Sequence, residues 1–592
     1  MSQEQNKDMS QCLYRASAAD FMKIPGNPVA YWLTPQFLTN FEKLPRLGRF
    51  FSTREGLTTG SNATFLRQWF EVSLSKSSFP GNTKDAARWL AYLKGGEYRR
   101  WAGNNEYLID WENEGERILN FIDPLTKRIR SHNYNGEWAL KPGITWSSVS
   151  GESFSVRNVY GGYMFDTTGS MGFVSADIDQ LEVAAYLNSV VATEYMKVLS
   201  PAVRFQPGHA LNLPFYKRPT SRVREIAARN IALSQSDWDF FETSWDFTAP
   251  PLLNIDARQQ ALETTYQNLR THQREMTQEM LRLEEENNCL FIDAYGLQDE
   301  LTSGVPLEEI TLTCNPHYRY GGNKSEEELE TMFQCDTMEE LVSYAIGCMM
   351  GRYSLDKPGL ILASQDETLQ DYLRQIPTPR FAPDDDAILP LTDQEWFADD
   401  ATNRFRELIR VVWGDEQLQQ NLDFVAESLC LHAIKPKKGE ASLDTIRRYL
   451  STQFFKDHLR TYKKRPIYWL FSSGKHKAFE CLVYLHRYND GTLARMRTEY
   501  VIPLSAKLSS YAAKLENDIE ASNSTAEKKA LEKQLSTLHN QQAELATFDE
   551  KLRHHADQRI SLDLDDGVKV NYGKFGDLLA EVKAVTGGAA DD

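Results

Sequence analysis

From residue 144 to 175, apolar and polar positions alternate with a period of two. The stretches ITWSSVS at 144–150, SFSVRNVYGGYMF at 153–165 and GFVS at 172–175 are rich in β-branched and aromatic residues and are separated by Gly and Asn turns, so they predict strands. Helices are predicted beside them at 62–74 and 178–199. Together these elements form an α+β domain over 27–220, closing near Pro214 and Pro219. Residues 221–288 read as helical. Leu262, Tyr266, Leu269, Met276, Met280 and Leu283 fall on one face of the second helix there, and Glu284, Glu285 and Glu286 read as a solvated patch near its end. FIDAYGL at 291–297 and a mixed region to about 365 follow. The proline-rich stretch 376–396 reads as a linker or long loop, and 393–460 is helical again. PIYWLFSS at 466–473 and FECLVYLHRY at 479–488 read as buried strands or short helices.

The C-terminal pattern is sharper. One helix is predicted over 505–521, and Ser524 and Glu527 have capping-box spacing for a second. Leu531, Leu538, Leu545 and Leu552 recur every seven residues, but the companion positions Leu535, Gln542 and Asp549 are mostly polar. Half a heptad seam favours an antiparallel helical hairpin over a long dimeric coiled coil.

A chain of 592 residues is too long for one core, so about two to four domains are expected. The division read from the pattern is an N-terminal linker over 1–26, a recognition domain over 27–220, a helical spacer and mixed region over 221–375, a linker or loop over 376–396, a helical or mixed domain over 397–504 and a hairpin with tail over 505–592. No apolar run approaches the roughly 18 residues of a membrane span, and the N-terminus has no signal-peptide pattern, so a cytoplasmic protein without membrane contact is expected. The seven cysteines form no CxxC pair and read as free thiols rather than zinc or redox ligands. The net charge of −17 argues against nonspecific coating of nucleic acid. It leaves room for a local basic groove, because charges are screened over about 8 Å at physiological salt. Basic segments lie at 94–101, 127–132, 217–229 and 456–465, and an acidic one at 385–400.

Four stretches carry candidate chemistry. In Gly56–Phe65, Gly60 permits a tight turn, and Thr59, Ser61 and Asn62 offer compact groups for a helix cap or for a phosphate or base; a plain turn and cap is the simpler reading. In Lys94–Tyr107, Lys94, Arg99 and Arg100 suit phosphates or guanine edges, and Asn104 and Asn105 have the donor–acceptor pair that matches adenine. Gly95 and Gly96 would let a duplex approach, and Trp101 and Tyr107 would pack on sugars or anchor the loop. The alternative there is a charged surface loop held by two core aromatics. The third stretch, Ile144–Ser147, reads as a core strand containing Trp146. The fourth pairs Leu187-Asn-Ser189 at a helix end with the loop Phe205–Phe215.

Taken in order, the Gly-Thr-Gly turn, the aromatic-basic loop, the ITWS strand, the helix ending in Asn-Ser and the loop closing on Leu-Pro resemble the target-recognition domains of type I specificity subunits and of fused restriction–modification enzymes. Longer stretches at 94–115, 314–330, 344–363 and 549–585 resemble the PglX family, the adenine-specific DNA methyltransferases of BREX phage-defence systems. The resemblance implies the target-recognition half of such an enzyme, followed by mostly helical domains. It also implies double-stranded DNA, a methyltransferase domain or subunit and other BREX proteins as partners. Family members carry an N-terminal catalytic domain with a glycine-rich S-adenosylmethionine loop and an Asn-Pro-Pro-Tyr motif. Neither is evident here, so S-adenosylmethionine is expected to serve that other half, and no catalytic, cofactor-binding or metal residues are assigned in this chain. Asn315-Pro-His-Tyr318 imitates the catalytic tetrapeptide but has His317 in place of the second proline. Asp563–Gly567 imitates a calcium loop with the wrong spacing and Lys574 where a Glu is needed. The rival reading, favoured by the acidic charge, is a scaffold that binds other BREX proteins and has little DNA affinity of its own.

Overall fold

The computed structural model describes residues 17–148, 154–200, 205–217, 221–254 and 259–587. Most of the expected 1–26 linker, Cys12, Pro219 and the ends of two predicted strands lie outside them. The fold is mixed α+β, as expected. It divides into two compact units, each built from separated stretches of chain: 1–62, 78–238 and 273–319 in the first, and 63–77, 239–272 and 320–592 in the second.

The first unit holds the predicted strands. Phe51–Arg54, Met171–Val174, Gly143–Trp146 and Val156–Val159 lie side by side in that order, each antiparallel to the next. Trp89–Leu93 pairs antiparallel with Tyr107–Asp110 and parallel with Met164–Phe165. Their apolar side chains, Trp89, Ile144, Trp146 and Val156 among them, are buried. The predicted 178–199 helix is two helices, Gln180–Leu187 and Val190–Leu199. Asn188 breaks it by bonding the Val156 N–H (2.9 Å) and C=O (3.1 Å) as a neighbouring strand would, and Ser189 caps the next helix. The predicted helix at 62–74 is absent beyond the single turn Asn62–Phe65. Every residue from Phe65 to Ser73 is buried, and a one-sided helix cannot bury nine consecutive side chains, so the chain runs extended and then through a tight turn.

The helix read from 262 onward spans Leu262–Tyr295, and all six of its predicted face residues are buried. Of the three glutamates expected to be solvated, Glu284 is buried, while Glu285 and Glu286 are half-buried.

In the second unit, Ile388–Pro390, Glu480–Tyr484 and Tyr468–Ser472 form an antiparallel sheet with the middle strand in the centre. The stretch 376–396, expected to be a linker or long loop, is a long loop apart from the short strand Ile388–Pro390. Its short strand occupies a sheet edge, where Pro390 is tolerated. Arg487 donates to the Asp384 and Asp385 carbonyls at 2.8 and 3.0 Å. The predicted hairpin is formed by Ile502–Ala521 and Thr525–Asp557. Its seam is Leu504, Leu508, Ala512 and Leu515 against Leu538, Leu545, Phe548 and Leu552. A wider π turn over Met496–Val501 leads into it, because Pro503 has no N–H for the carbonyl four residues earlier.

Leu545→Ala should cost about 2–5 kcal/mol in urea unfolding, while Leu531→Ala, at a half-buried position of the same heptad register, should cost well under that. A second expectation concerns Glu339. Burial first, then Asp457 and Asp336, push its carboxyl from 4.5 to about 8, with Arg460 opposing. The folded protein keeps a proton there that the unfolded chain releases above its ordinary value. The contribution of Glu339 to stability is thus complete at low pH and is lost as pH rises from about 4.5 to 8. Unfolding measured across this window should show Glu339→Gln with a flatter pH profile than wild type.

Candidate functional site

Three of the four sequence motifs are tied together in the first unit by backbone and side-chain hydrogen bonds. Leu57 N donates to Phe165 O at 2.8 Å, and Thr58 exchanges both backbone bonds with His132 (2.9 and 3.0 Å). Tyr92 donates its hydroxyl to Leu57 O (3.0 Å) and to Asp166 (2.8 Å). Asp166 in turn accepts from the backbone N–H and hydroxyl of Thr168, both at 2.7 Å. Thr168 also reaches Lys94 O (3.3 Å), and Ser147, at the end of the ITWS strand, donates to Gly96 O (2.9 Å). The Gly56–Asn62 turn, the 94–107 loop and the ITWS strand end are thereby neighbours.

Gly60 has φ +76°, and a Cβ there would come within 3.1 Å of Ser131 N. Its freedom thus lets the 130–132 segment lie against the turn. Thr59 is buried and donates to the Asn62 side chain at 2.7 Å, so these two hold the turn's shape. Ser61 is half-buried beside them.

The 94–107 loop is divided between two duties. Arg99, Arg100 and Trp101 point into the unit. Arg99 meets Asp237 at 2.6 Å, Thr313 Oγ1 at 2.9 Å and Ala102 O at 3.0 Å. Gly103 is needed beside it, since a Cβ there would stand 2.6 Å from Arg99 Nε. Arg100 meets Glu284 and Glu309, each at 2.5 Å. Trp101 is fully buried, donates its indole N–H to Glu284 (2.7 Å) and exchanges backbone bonds with Val156 and Asn158. Burial alone would lower the Arg100 pKa, but Glu284, Tyr98 and Glu309 outweigh it and hold the guanidinium above its ordinary value. Burial also penalises the Glu284 carboxylate, and Arg100 and Trp101 work against that penalty.

This corrects the expectation that Arg99 and Arg100 face a nucleic acid. Both are buried and held within the same unit, Arg99 by Asp237, Thr313 and the Ala102 carbonyl and Arg100 by Glu284 and Glu309, and they act on the surface by fixing the loop. The solvent side of the loop is Gly96 with the half-buried Lys94, Asn104, Asn105 and Tyr107, while Gly95 is buried. Lys94 lies 5.2 Å from the Tyr107 ring centroid. Burial pulls its pKa down, and Asp166 opposes this. Asn104 donates to Glu97 O at 2.9 Å.

Arg157 was not singled out from the sequence. It is buried on the strand Val156–Val159 directly under this loop. Its guanidinium reaches Arg99 O (3.3 Å) and Ser147 Oγ (3.4 Å), and no carboxylate among the described residues pairs with it. Burial pushes its pKa down to about 10, with Tyr318 opposing and Arg99 adding to the fall. The available signal was a lone cation inside an otherwise apolar strand pattern.

The tetrapeptide imitation has structural employment. Asn315 donates its amide to Leu307 O (2.7 Å) and Ile310 O (2.9 Å), and Tyr318 donates to Tyr98 O (2.5 Å). Among the described residues no group of three or more His, Cys, Asp or Glu could hold a metal ion, and no helix is long and apolar enough to cross a membrane. In the Asp563–Gly567 turn, Asp565 is paired with Lys76 at 2.6 Å.

No family model matches the chain. It is 44% identical over 586 residues to the adenine-specific methyltransferase BrxX of Escherichia coli O9:H4 (strain HS), covering 98% of this chain and 47% of that protein. It is 39% identical over 572 residues to the adenine-specific methyltransferase PglX of Lacticaseibacillus casei (strain Zhang), covering 95% of this chain and 45% of that protein. The chain thus spans about half the length of the curated relatives it matches. The resemblance to PglX and the BREX adenine-specific methyltransferases is borne out.

Arg100→Ala leaves Glu284 buried without its cation, so it should lower the stability of the first unit by about 3–5 kcal/mol. Asn105→Ala, on the solvent side of the same loop, should stay within about 0.5 kcal/mol of wild type. Thermal unfolding of the two variants checks the division between inward and outward residues.

Proposed function

We propose that this chain, similar over nearly its whole length to about half of two BREX adenine-specific methyltransferases, recognises double-stranded DNA for site-specific adenine methylation in a phage-defence system. The first unit is the target-recognition body. The observation that carries this reading is the convergence of the Gly56–Asn62 turn, the 94–107 loop and the ITWS strand end in that unit. The buried, unpaired Arg157 gives this site a fixed positive charge in an otherwise acidic chain, which favours phosphate. Lys94, Asn104 and Asn105 offer donors and acceptors to phosphate and base edges. Arg99 and Arg100 hold the loop for them.

Methyl transfer and S-adenosylmethionine binding belong, in this reading, to the part of the relatives' length that this chain does not match. In support, the amide of Asn315, in the tetrapeptide that imitates the catalytic motif, is committed to the Leu307 and Ile310 carbonyls. Adenine-specific transfer requires the base to leave the stack, and the recognition contacts offset that cost of a few kcal/mol. The second unit, with its helices and C-terminal hairpin, is where other BREX proteins would bind.

Titration of the chain with mixed-sequence duplexes at several salt concentrations tests the reading. Affinity should fall steeply and linearly on a log–log plot of salt concentration. Binding that is absent or insensitive to salt, together with capture of other BREX proteins, would replace the recognition reading with the scaffold that the −17 charge favours.

A further inference from the structure

The segment after Leu119 forms a short hairpin in the first unit. Ile122 and Ile129 face each other across a bridge, Asp123 N donates to Arg128 O (3.0 Å) and Lys127 N to Asp123 O (2.9 Å). The Asp123 carboxylate accepts the N–H groups of Leu125 and Thr126, both at 2.8 Å, and takes Arg130 at 2.9 Å. Pro124 fixes one backbone angle of the turn. Every residue from Pro124 to Arg130 is nevertheless exposed, and Leu125 at the tip is 93% exposed. Ile122, Ile129 and Tyr134 are exposed with it. Apolar side chains grouped on one ordered hairpin and rimmed by charged residues mark a contact surface.

Charge narrows the choice of what covers the tip. Lys127, Arg128 and Arg130 surround it, and the one acid of the hairpin, Asp123, is committed to the turn. Lys127 adopts φ +57°, a position that favours Gly or Asn. The residue at this turn position is a cation all the same. A second copy of this chain would bring another −17 of net charge, which opposes self-association. A polyanion with apolar surface between its charges satisfies both features. The hairpin is also rooted in the candidate site, through the Thr58–His132 backbone pair and the Asn135 amide on Glu55 O (2.8 Å).

We infer that this hairpin is a DNA wedge: Lys127 and Arg128 hold phosphates flanking a groove, and Leu125 enters between base pairs and loosens their stacking. Apolar side chains inserted at base steps unstack and kink a duplex, and an enzyme acting on adenine needs a base to leave the stack. The inference rests on the DNA-recognition reading and adds a second role for the same unit, distortion besides recognition.

The test uses the full chain with fully paired duplex and with the same duplex carrying one unpaired base, which is already partly unstacked. Wild type should prefer the second. Leu125→Ala should abolish that preference while keeping the salt dependence of binding. The double substitution Lys127→Ala with Arg128→Ala should reduce the log–log salt slope by about two. All three positions are exposed, and circular dichroism would verify the fold. Variants that bind both duplexes with wild-type affinity and slope would overturn the wedge while leaving DNA recognition standing. Wild-type chain that binds neither duplex at any salt would remove the recognition reading and the wedge with it. If Leu125→Ala changes only the sedimentation of the protein, the tip joins copies of the chain and the wedge is overturned.

Discussion

Two buried ion pairs organise the first unit. Arg99 with Asp237 and Arg100 with Glu284 take adjacent cations of one loop into the interior and fasten them to two different helices. Removing charges from water is costly, and such pairs persist only when their remaining donors and acceptors are satisfied. Asp237 meets that requirement with the N–H groups of Thr313 (2.7 Å) and Cys314 (2.8 Å), and Glu284 with the Trp101 indole. The loop is then held at both flanks, since Trp101 also extends the edge of the strand Val156–Val159. What remains on the solvent side is Lys94, Gly96, Glu97 and Asn104 to Tyr107, a mixed polar set on a loop fixed from within. The shape of this surface is thus carried by residues that lie beneath it.

Much of the fold was legible where periodicity is a local property. The six buried positions of Leu262–Tyr295 follow from spacing alone, as do the strand around Trp146 and the leucines of the C-terminal hairpin, while 479–488, which the sequence left open between strand and short helix, is a strand over Glu480–Tyr484. Legibility ended where distant chain decides. Glu284 sits in a run of three glutamates and looks solvated. It is buried because Arg100, 184 residues earlier, needs a counter-charge there. The 376–396 stretch has the prolines and acids of a linker, yet Glu480–Tyr484 supplies a strand for it to join. The 62–74 helix failed because the segment is buried on all sides, and the amphipathic criterion does not apply to such a segment.

The site was legible in its order and not in its directions. Three of the four motifs that suggested recognition do meet in the unit. Which side chains point outward could not follow from composition: of the cations in KGGEYRRW, only Lys94 reaches the solvent side, while Arg99 and Arg100 turn in. Arg157 escaped notice because a cation in a strand is ordinarily an outward residue. The hairpin at 122–129 was seen only as part of a basic segment, since its apolar members look like core until their exposure is known.

The long-range ion pairs also bear on how the protein is made. Arg100 is 184 and 209 residues from its two carboxylates. At ordinary translation rates of about 5–20 residues per second, on the order of 10 to 40 seconds separate synthesis of the loop from synthesis of its last counter-charge. Within that interval the partners arrive one after another, Asp237 for Arg99 first, then Glu284 for Arg100 and Trp101, and Glu309 last. Release between residues 284 and 309 would leave Arg100 with Glu284 alone, and release before residue 237 would leave both guanidiniums without their carboxylates.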